Sequence, residues 1–110
     1  MHAVELHHLE PGFRSKFLME MGMVSEAVAL AFQPDKLNLE SLGNGDAHLH
    51  WHIFPRRAGD TPQPGPVWYL EPAILFAESN KPAPDTLDSM KTRLRDALSK
   101  LIPMDAHRKE

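Results

Sequence analysis

The sequence predicts an α+β fold in which two helices pack against an antiparallel sheet. Residues 11–32 and 84–101 repeat apolar side chains every three or four positions, which is the periodicity of an amphipathic helix. Residues 36–43 and 48–55 instead alternate apolar and polar side chains, as half-buried strands do. The chain has 110 residues and an apolar content of 42%, which is enough for a single domain, residues 1–110, with a modest core.

The first helix is predicted from Pro11 to Phe32. Its apolar stripe consists of Phe17, Met21, Val24, Val28 and Ala31. Glu10 and Pro11 suit the start of this helix, because proline is tolerated in a first turn, and Pro34 suits its end.

The strands 36–43 and 48–55 are predicted to form a hairpin, since Gly43, Asn44 and Gly45 between them are typical of a tight turn. One face of the second strand is large and apolar and should pack against a helix; it consists of Leu49, Trp51 and Ile53. A two-stranded sheet is marginal by itself. We therefore expect a homodimer that continues the sheet or buries the first helix.

Residues 56–68 contain three prolines and two glycines, a composition that favours an ordered surface loop. Trp68 and Tyr69 are expected to anchor its far end. The helix 84–101 then carries a stripe of Leu87, Met90, Leu94, Leu98 and Leu101. Residues 103–110 read as a polar tail.

Composition argues against several classes of function. The net charge is −3 and the basic residues are scattered, so no surface suited to nucleic acid is expected. The chain has no cysteine, which removes disulfides and thiolate metal sites and fits a reducing compartment. No apolar run approaches the roughly 20 residues of a membrane span, and the first residues do not resemble a signal peptide. We expect a cytoplasmic protein without a membrane partner.

The stretch HLHWHIFPRR, residues 48–57, places three histidines at alternate positions. In a strand, His48, His50 and His52 would share one face at spacings of roughly 6 to 7 Å. Imidazole both binds metals and changes its charge near neutral pH, so a metal site, an acid–base or nucleophilic site and chance all remain open.

A metal site using strand histidines two apart is geometrically reasonable, but structural zinc takes four protein ligands and catalytic zinc usually three plus a water. The nearby carboxylates, Glu40 and Asp46, could complete such a site only if the turn folds back.

The segment KLNLESLGNGDAHLHWHIFPR resembles the histidine triad (HIT) family of nucleotide hydrolases and transferases. The resemblance extends to VELHHLEP, QPDKLN, LGN and DTPQPGPVW, and it is greatest to the dinucleoside-polyphosphate hydrolase-like branch. It covers nearly the whole chain and implies a HIT-like α+β fold.

The resemblance implies a catalytic role for the three histidines. His50 would attack the α-phosphorus of a nucleotide and form a nucleotidyl-imidazole, which water then hydrolyses. His48 and His52 would orient the nucleophile, hold phosphate oxygens and assist protonation of the leaving group. The scheme requires no metal and no other cofactor.

The resemblance also implies four nucleotide-binding residues. Asn44 and Gly45 would contact phosphate from the turn before the triad, Asn38 from the first strand, and His2 from the start of the chain. Each assignment has a structural alternative. Asn44 could serve only the turn, Asn38 could be a polar residue on an exposed strand face, and His2 could lie in a frayed terminus.

The sequence departs from the family pattern at its beginning. Relatives carry strands ahead of the position of Met1, and these strands complete the sheet and the base pocket. Either the start codon has been placed too late, or the protein is a short form with weaker nucleotide affinity. Ala47 also replaces a proline, and Asp46 would repel a polyanion if it faced the site.

Three functions follow, in order of preference. The first is a nucleotidyl hydrolase or transferase acting on a dinucleoside polyphosphate or a nucleoside phosphoramidate. The second is a truncated nucleotide-binding or dimerisation module with little activity, and the third is a histidine metal-binding protein. Replacing His50 separates the first two, because only an enzyme would lose turnover, and a chelator tests the third.

Overall fold

A computed structural model of the chain describes residues 3–102 and confirms the α+β class. The elements in chain order are α1 (Pro11–Phe32), β1 (Lys36–Glu40), β2 (His52–Arg56), α2 (Pro72–Leu75) and α3 (Pro84–Leu101), with single 3₁₀ turns at Leu6–His8, Val67–Tyr69 and Glu78–Asn80. His2 and the predicted polar tail at 103–110 lie outside the described residues.

Helix α1 begins and ends where the sequence predicts. The Glu10 carboxylate accepts hydrogen bonds from the backbone nitrogens of Gly12 (2.8 Å) and Phe13 (3.0 Å), which satisfies two free donors of the first turn. These two bonds also lower the pKa of the Glu10 carboxyl. At the other end Gln33 has a left-handed backbone, with φ of 47°, and Pro34 follows.

The apolar stripe of α1 is used in two places. Small residues pack α1 against α3: Ala27, Ala31 and Ala97 are buried, and they are surrounded by Phe32, Leu94, Leu98 and Leu101. Further toward its start, α1 meets the apolar side of β2. Leu87 and Met90 in the first half of α3 are about one-third exposed, so mainly its second half contributes to the core.

The sheet is shorter than the sequence predicts. β1 and β2 pair antiparallel from Lys36 opposite Arg56 to Glu40 opposite His52. The predicted strands 36–43 and 48–55 are therefore wrong at their inner ends, and residues 41–51 form a long connection instead of a tight turn. The ladder ends where Glu40 pairs with His52, and residues 48–51 have no partner strand among residues 3–102.

A buried arginine ties the proline-rich loop to the sheet. Arg56, 7% exposed, donates from Nε and Nη2 to the two carboxylate oxygens of Asp60, both at 2.8 Å. Its Nη1 donates to Asn38 Oδ1 (2.8 Å) and to the Gly65 carbonyl (2.7 Å). The guanidinium is planar and offers several donors, so it can hold a strand and a loop at once. The hydrogen bonds from Arg56 lower the pKa of Asp60 to about 2.

In the part of the chain that the structure describes, no helix is both long enough and apolar enough to span a bilayer.

The pairing of Asp60 with Arg56 predicts an acid-sensitive contribution to stability. The pKa of Asp60 in the folded protein is about 2, below the ordinary value of 3.8. The contribution is therefore complete above the ordinary value and is lost as the pH falls through about 2. Urea unfolding at a series of pH values should show the wild-type protein more stable than Asp60→Asn near neutral pH, with the difference shrinking in this window.

Asp88, an exposed carboxylate of α3 with no arginine partner among residues 3–102, supplies the control. Asp88→Asn should not reproduce the pH-dependent loss that the Arg56–Asp60 pair predicts. An Asp60→Asn difference that stays constant down to pH 2 would contradict the ion pair.

Candidate active site

Three imidazole rings form a continuous row on one side of the chain. The ring centroids of His48 and His50 are 4.9 Å apart, those of His50 and His52 are 5.0 Å apart, and Phe54 continues the row 5.6 Å beyond His52. Only His52 belongs to β2, yet the alternation predicted from the sequence persists through the connection. The ring centroids are closer than the roughly 6 to 7 Å expected along a straight strand, and the ring planes are inclined to one another by 46° and 67°.

The ring of His50 is held by the backbone. Its Nδ1 lies 2.7 Å from the carbonyl oxygen of His48, and a carbonyl can only accept a hydrogen bond. In the neutral ring the proton therefore sits on Nδ1, and Nε2 keeps its lone pair. His50 is half-buried, so packing and the hydrogen bond together fix the orientation of its ring and therefore the position of Nε2.

The ring of His48 is held by a carboxylate. Its Nδ1 lies 2.8 Å from Asp46 Oδ1, and both side chains are exposed, at 49% and 72% respectively. Asp46 is thus engaged with the first histidine of the row. The backbone here is fixed by bonds from His48 N to the Asp46 carbonyl (2.9 Å) and from Leu49 N to the Ala3 carbonyl (2.7 Å).

An indole closes the other end of the row. The ring of Trp68 lies 6.5 Å from that of His52 and 6.0 Å from that of Phe54, which it meets nearly perpendicularly at 87°. Trp68 Nε1 donates a hydrogen bond to Glu40 Oε2 at 2.8 Å, and Glu40 lies opposite His52 in the ladder. The sequence predicts Trp68 only as a loop anchor. A tryptophan directly after a proline-rich loop was the available signal, but its position beside the row depends on how the loop folds back.

The predicted nucleotide-binding residues are only partly brought together. Asn38 lies opposite Phe54 and so shares the face of the row, but its Oδ1 accepts from Arg56. Asn44 and Gly45 are exposed in the bend at 44–46. A cavity of about 170 Å³ beside His48 is lined by Gly43 and not by either of them.

The reverse side of the histidine segment is apolar, as the sequence predicts. Trp51 and Ile53 face α1, and the Trp51 ring lies 6.3 Å from that of Phe17. A groove of about 340 Å³ separates these side chains from Met21 and Val24. The buried Nε1 of Trp51 has no hydrogen-bond acceptor within residues 3–102. Of the described residues that line this groove, Glu20 is the only one with a titratable side chain.

A larger cavity of about 500 Å³ lies under the proline-rich loop, away from the imidazole rings. None of the three histidines lines it, and Arg56, which does, already donates to Asp60 and Asn38. Across residues 3–102, no group of three or more His, Cys, Asp or Glu side chains is arranged to hold a metal ion. The metal-binding alternative therefore gains no ligand set from this part of the chain.

Comparison with known proteins points to one family. Residues 1–59 match the HIT domain. Among solved structures, the chain is similar to a histidine triad protein from Marinobacter aquaeolei VT8, with a TM-score of 0.70 and 31% identity over 90% of this chain and 68% of that one. A histidine triad protein from Bradyrhizobium japonicum gives a TM-score of 0.66 and 32% identity over 92% of this chain and 68% of that one.

A histidine triad protein from Sinorhizobium meliloti 1021 is 27% identical, with a TM-score of 0.67 over 90% of this chain and 66% of that one. This chain thus spans about two thirds of the length of the structures that it matches. A comparison with curated protein sequences found no match.

The backbone contact of His50 predicts its tautomer. At a pH where the ring is neutral, long-range ¹H–¹⁵N correlation spectra should show His50 protonated on Nδ1, because the His48 carbonyl accepts that proton. His7 is the control, since its ring nitrogens have no hydrogen-bond partner among residues 3–102 and its Nδ1–H form should not be enriched. Protonation of His50 on Nε2 would contradict the geometry.

Proposed function

Because the chain belongs to the HIT domain family, we propose that it is a nucleotidyl hydrolase or transferase with His50 as its nucleophile. The substrate class is a dinucleoside polyphosphate or a nucleoside phosphoramidate, cleaved at the α-phosphate. The observation that carries the proposal is the hydrogen bond from His50 Nδ1 to the His48 carbonyl, which leaves the Nε2 lone pair free to attack phosphorus.

In the first step, Nε2 of His50 forms a bond to the α-phosphorus. The bond from phosphorus to the leaving group breaks, and its electron pair goes to the leaving oxygen or nitrogen, which takes up a proton. The imidazole of the intermediate carries a positive charge while it keeps its Nδ1 proton. The His48 carbonyl at 2.7 Å stabilises that charge, because it points the negative end of its dipole at Nδ1.

In the second step, water attacks the same phosphorus. A bond from the water oxygen to phosphorus forms, the bond from Nε2 to phosphorus breaks, and its electron pair returns to the His50 ring while water loses a proton. A nucleoside monophosphate is released. In a transferase, an acceptor hydroxyl takes the place of water.

The neighbouring rings supply charge and protons. His48 and His52 flank His50 at 4.9 and 5.0 Å, so either can donate to an oxygen of a phosphate bound at His50. The Asp46 carboxylate keeps one nitrogen of His48 bound, which orients its other nitrogen. His48 and His52 act as groups that position the phosphate and protonate the leaving group.

Four further residues belong to the proposal. Asn44 and Gly45, exposed in the bend before the row, are proposed to bind phosphate, and His2 is included on the family resemblance alone. Asn38 contributes its amide nitrogen, because its oxygen already accepts from Arg56. A homodimer belongs to the same proposal, since the two-stranded sheet of residues 3–102 is marginal without a neighbour. A cytoplasmic location is also proposed, because a sequence without cysteine fits a reducing compartment.

Replacement of His50 should separate an enzyme from a binding module. We expect His50→Ala to lower turnover of diadenosine tetraphosphate or adenosine 5′-phosphoramidate by about 10³-fold or more, because the nucleophile is lost. Its affinity for AMP should fall far less. Hydrolysis is followed by chromatography, and affinity is measured by calorimetry.

The control is His7→Ala, which removes an exposed imidazole outside the row and should leave turnover unchanged. Excess chelator should also leave it unchanged, whereas loss of activity with chelator would favour the metal-binding alternative. Turnover that survives in His50→Ala would contradict the proposed nucleophile.

A crystal structure with AMP should place the phosphate within hydrogen-bonding distance of His50 Nε2 and of the bend at Asn44. This result is expected because the lone pair of Nε2 must reach phosphorus for the first step. A phosphate in the cavity under the proline-rich loop, beside Lys36 and Arg57, would count against the site.

A further inference from the structure

We propose that Asp46 determines specificity by disfavouring substrates whose leaving group is negatively charged. Of the two proposed substrate classes, the nucleoside phosphoramidate is then preferred to the dinucleoside polyphosphate. This inference rests on the proposed function, because it assumes that the phosphate to be cleaved lies at His50. Asp46 lies ahead of the first histidine and contacts the row through His48.

The Asp46 carboxylate is fixed at one end of the imidazole row. Its Oδ1 lies 2.8 Å from His48 Nδ1, and a backbone bond of 2.9 Å from His48 N to the Asp46 carbonyl joins the same two residues. The Asp46 side chain is nevertheless 72% exposed, so its negative charge is open to any ligand that approaches His48. This contact meets the condition under which the sequence predicts repulsion of a polyanion.

No lysine or arginine among residues 3–102 forms an ion pair with Asp46. Arg56 lies on the same side of β2 as His52, but Phe54 stands between them in the strand. The guanidinium of Arg56 is also bound by both carboxylate oxygens of Asp60. Its charge is therefore already compensated and does not offset that of Asp46.

The surroundings of the row are acidic at both ends. The cavity of about 170 Å³ beside His48 is lined by one further titratable residue among those described, Glu5. At the other end, Glu40 accepts from Trp68 Nε1 and lies opposite His52 in the ladder. Proteins bind phosphate chains with arginine, lysine or metal ions, so each end of the row presents a carboxylate where a polyphosphate would need a cation.

The distances are short enough for these charges to act on a bound phosphate. The rings of His48 and His52 lie 4.9 and 5.0 Å from that of His50. Charges in water interact over roughly 10 Å at 0.1 M salt before screening becomes strong. The phosphates nearest to His50 are therefore within range of Asp46.

The two substrate classes differ in the charge of the group that departs. In a phosphoramidate, the bond from phosphorus to nitrogen breaks and its electron pair goes to nitrogen, which takes up a proton from a flanking imidazole and leaves as ammonia or an amine. In a dinucleoside polyphosphate, an oxygen receives the electron pair and a group with several negative charges leaves. Asp46 repels only the second leaving group, and such repulsion is an effective source of specificity.

The test measures kcat/KM of adenosine 5′-phosphoramidate and of diadenosine tetraphosphate in the wild type and in Asp46→Asn. The amide oxygen of this variant can still accept from His48 Nδ1, so the charge is removed while the orientation of His48 is kept. The ratio of kcat/KM for the tetraphosphate to that for the phosphoramidate should rise about 3- to 10-fold. At 1 M salt, where the screening length is roughly 3 Å, most of this rise should vanish.

The matched control is Asp88→Asn, which changes the net charge by the same amount but lies in α3, outside the lining of the cavity beside His48. It should leave the ratio unchanged. Asp46→Ala removes the hydrogen-bond acceptor together with the charge, so it should lower kcat for both substrates and still raise the ratio. A purely structural role of Asp46 would lower both rates and leave the ratio as it is. Circular dichroism shows whether each variant still folds.

A binding measurement separates this inference from the proposed function. Without divalent cations, Asp46→Asn should strengthen the binding of ATP relative to AMP, as measured by calorimetry, and this result needs no turnover. An unchanged substrate ratio with intact His50-dependent turnover overturns the role of Asp46 and leaves the proposed function standing. If neither substrate is cleaved, the proposed chemistry fails, and the affinities decide: a shift toward ATP supports the role of Asp46, and no shift overturns it.

Discussion

The buried guanidinium of Arg56 is the interaction on which the arrangement of the site depends. A buried cation is costly unless its donors are satisfied, and here acceptors come from β1, through Asn38, and from the loop, through Asp60, Thr61 and Gly65. The loop must therefore fold back over the sheet in order to supply them. This return brings the indole after the loop to the end of the imidazole row, so a structural ion pair determines the shape of the proposed site.

The orientation of His50, the proposed nucleophile, depends on contacts that are local in the sequence. The tautomer of His50 is set by a carbonyl two residues earlier, and His48 is oriented by a carboxylate two residues before it. Because side chains alternate along an extended backbone, the imidazole rings lie on one side even though residues 48–51 are not paired with a neighbouring strand among residues 3–102. The chemistry of the row is thus encoded in a few consecutive residues, while the surroundings that would select a substrate come from distant parts of the chain.

This division explains what the sequence can and cannot predict. The bounds of α1 follow from local signals, namely the Glu10 cap, apolar periodicity and Pro34, and they are correct. The shared side of the imidazoles is also a local property. The predicted strands are longer than the observed ones. A strand extends only as far as a neighbouring strand pairs with it, and the alternation of apolar and polar residues does not indicate where that pairing ends. Arg56 and Trp68 were missed as central residues because their contacts lie 18 and 28 residues away in the chain, with Asn38 and Glu40.

The hydrogen bond from Leu49 N to the Ala3 carbonyl has a practical implication for protein engineering. It connects Leu49, beside the proposed nucleophile, to Ala3, so a change in the chain at Ala3 acts close to the three histidines. A tag on the carboxyl side of α3 is attached to a helix that packs on α1 and touches none of the histidine rings through the described residues. A tag close to Ala3 is therefore expected to disturb the histidine segment more than a tag after α3.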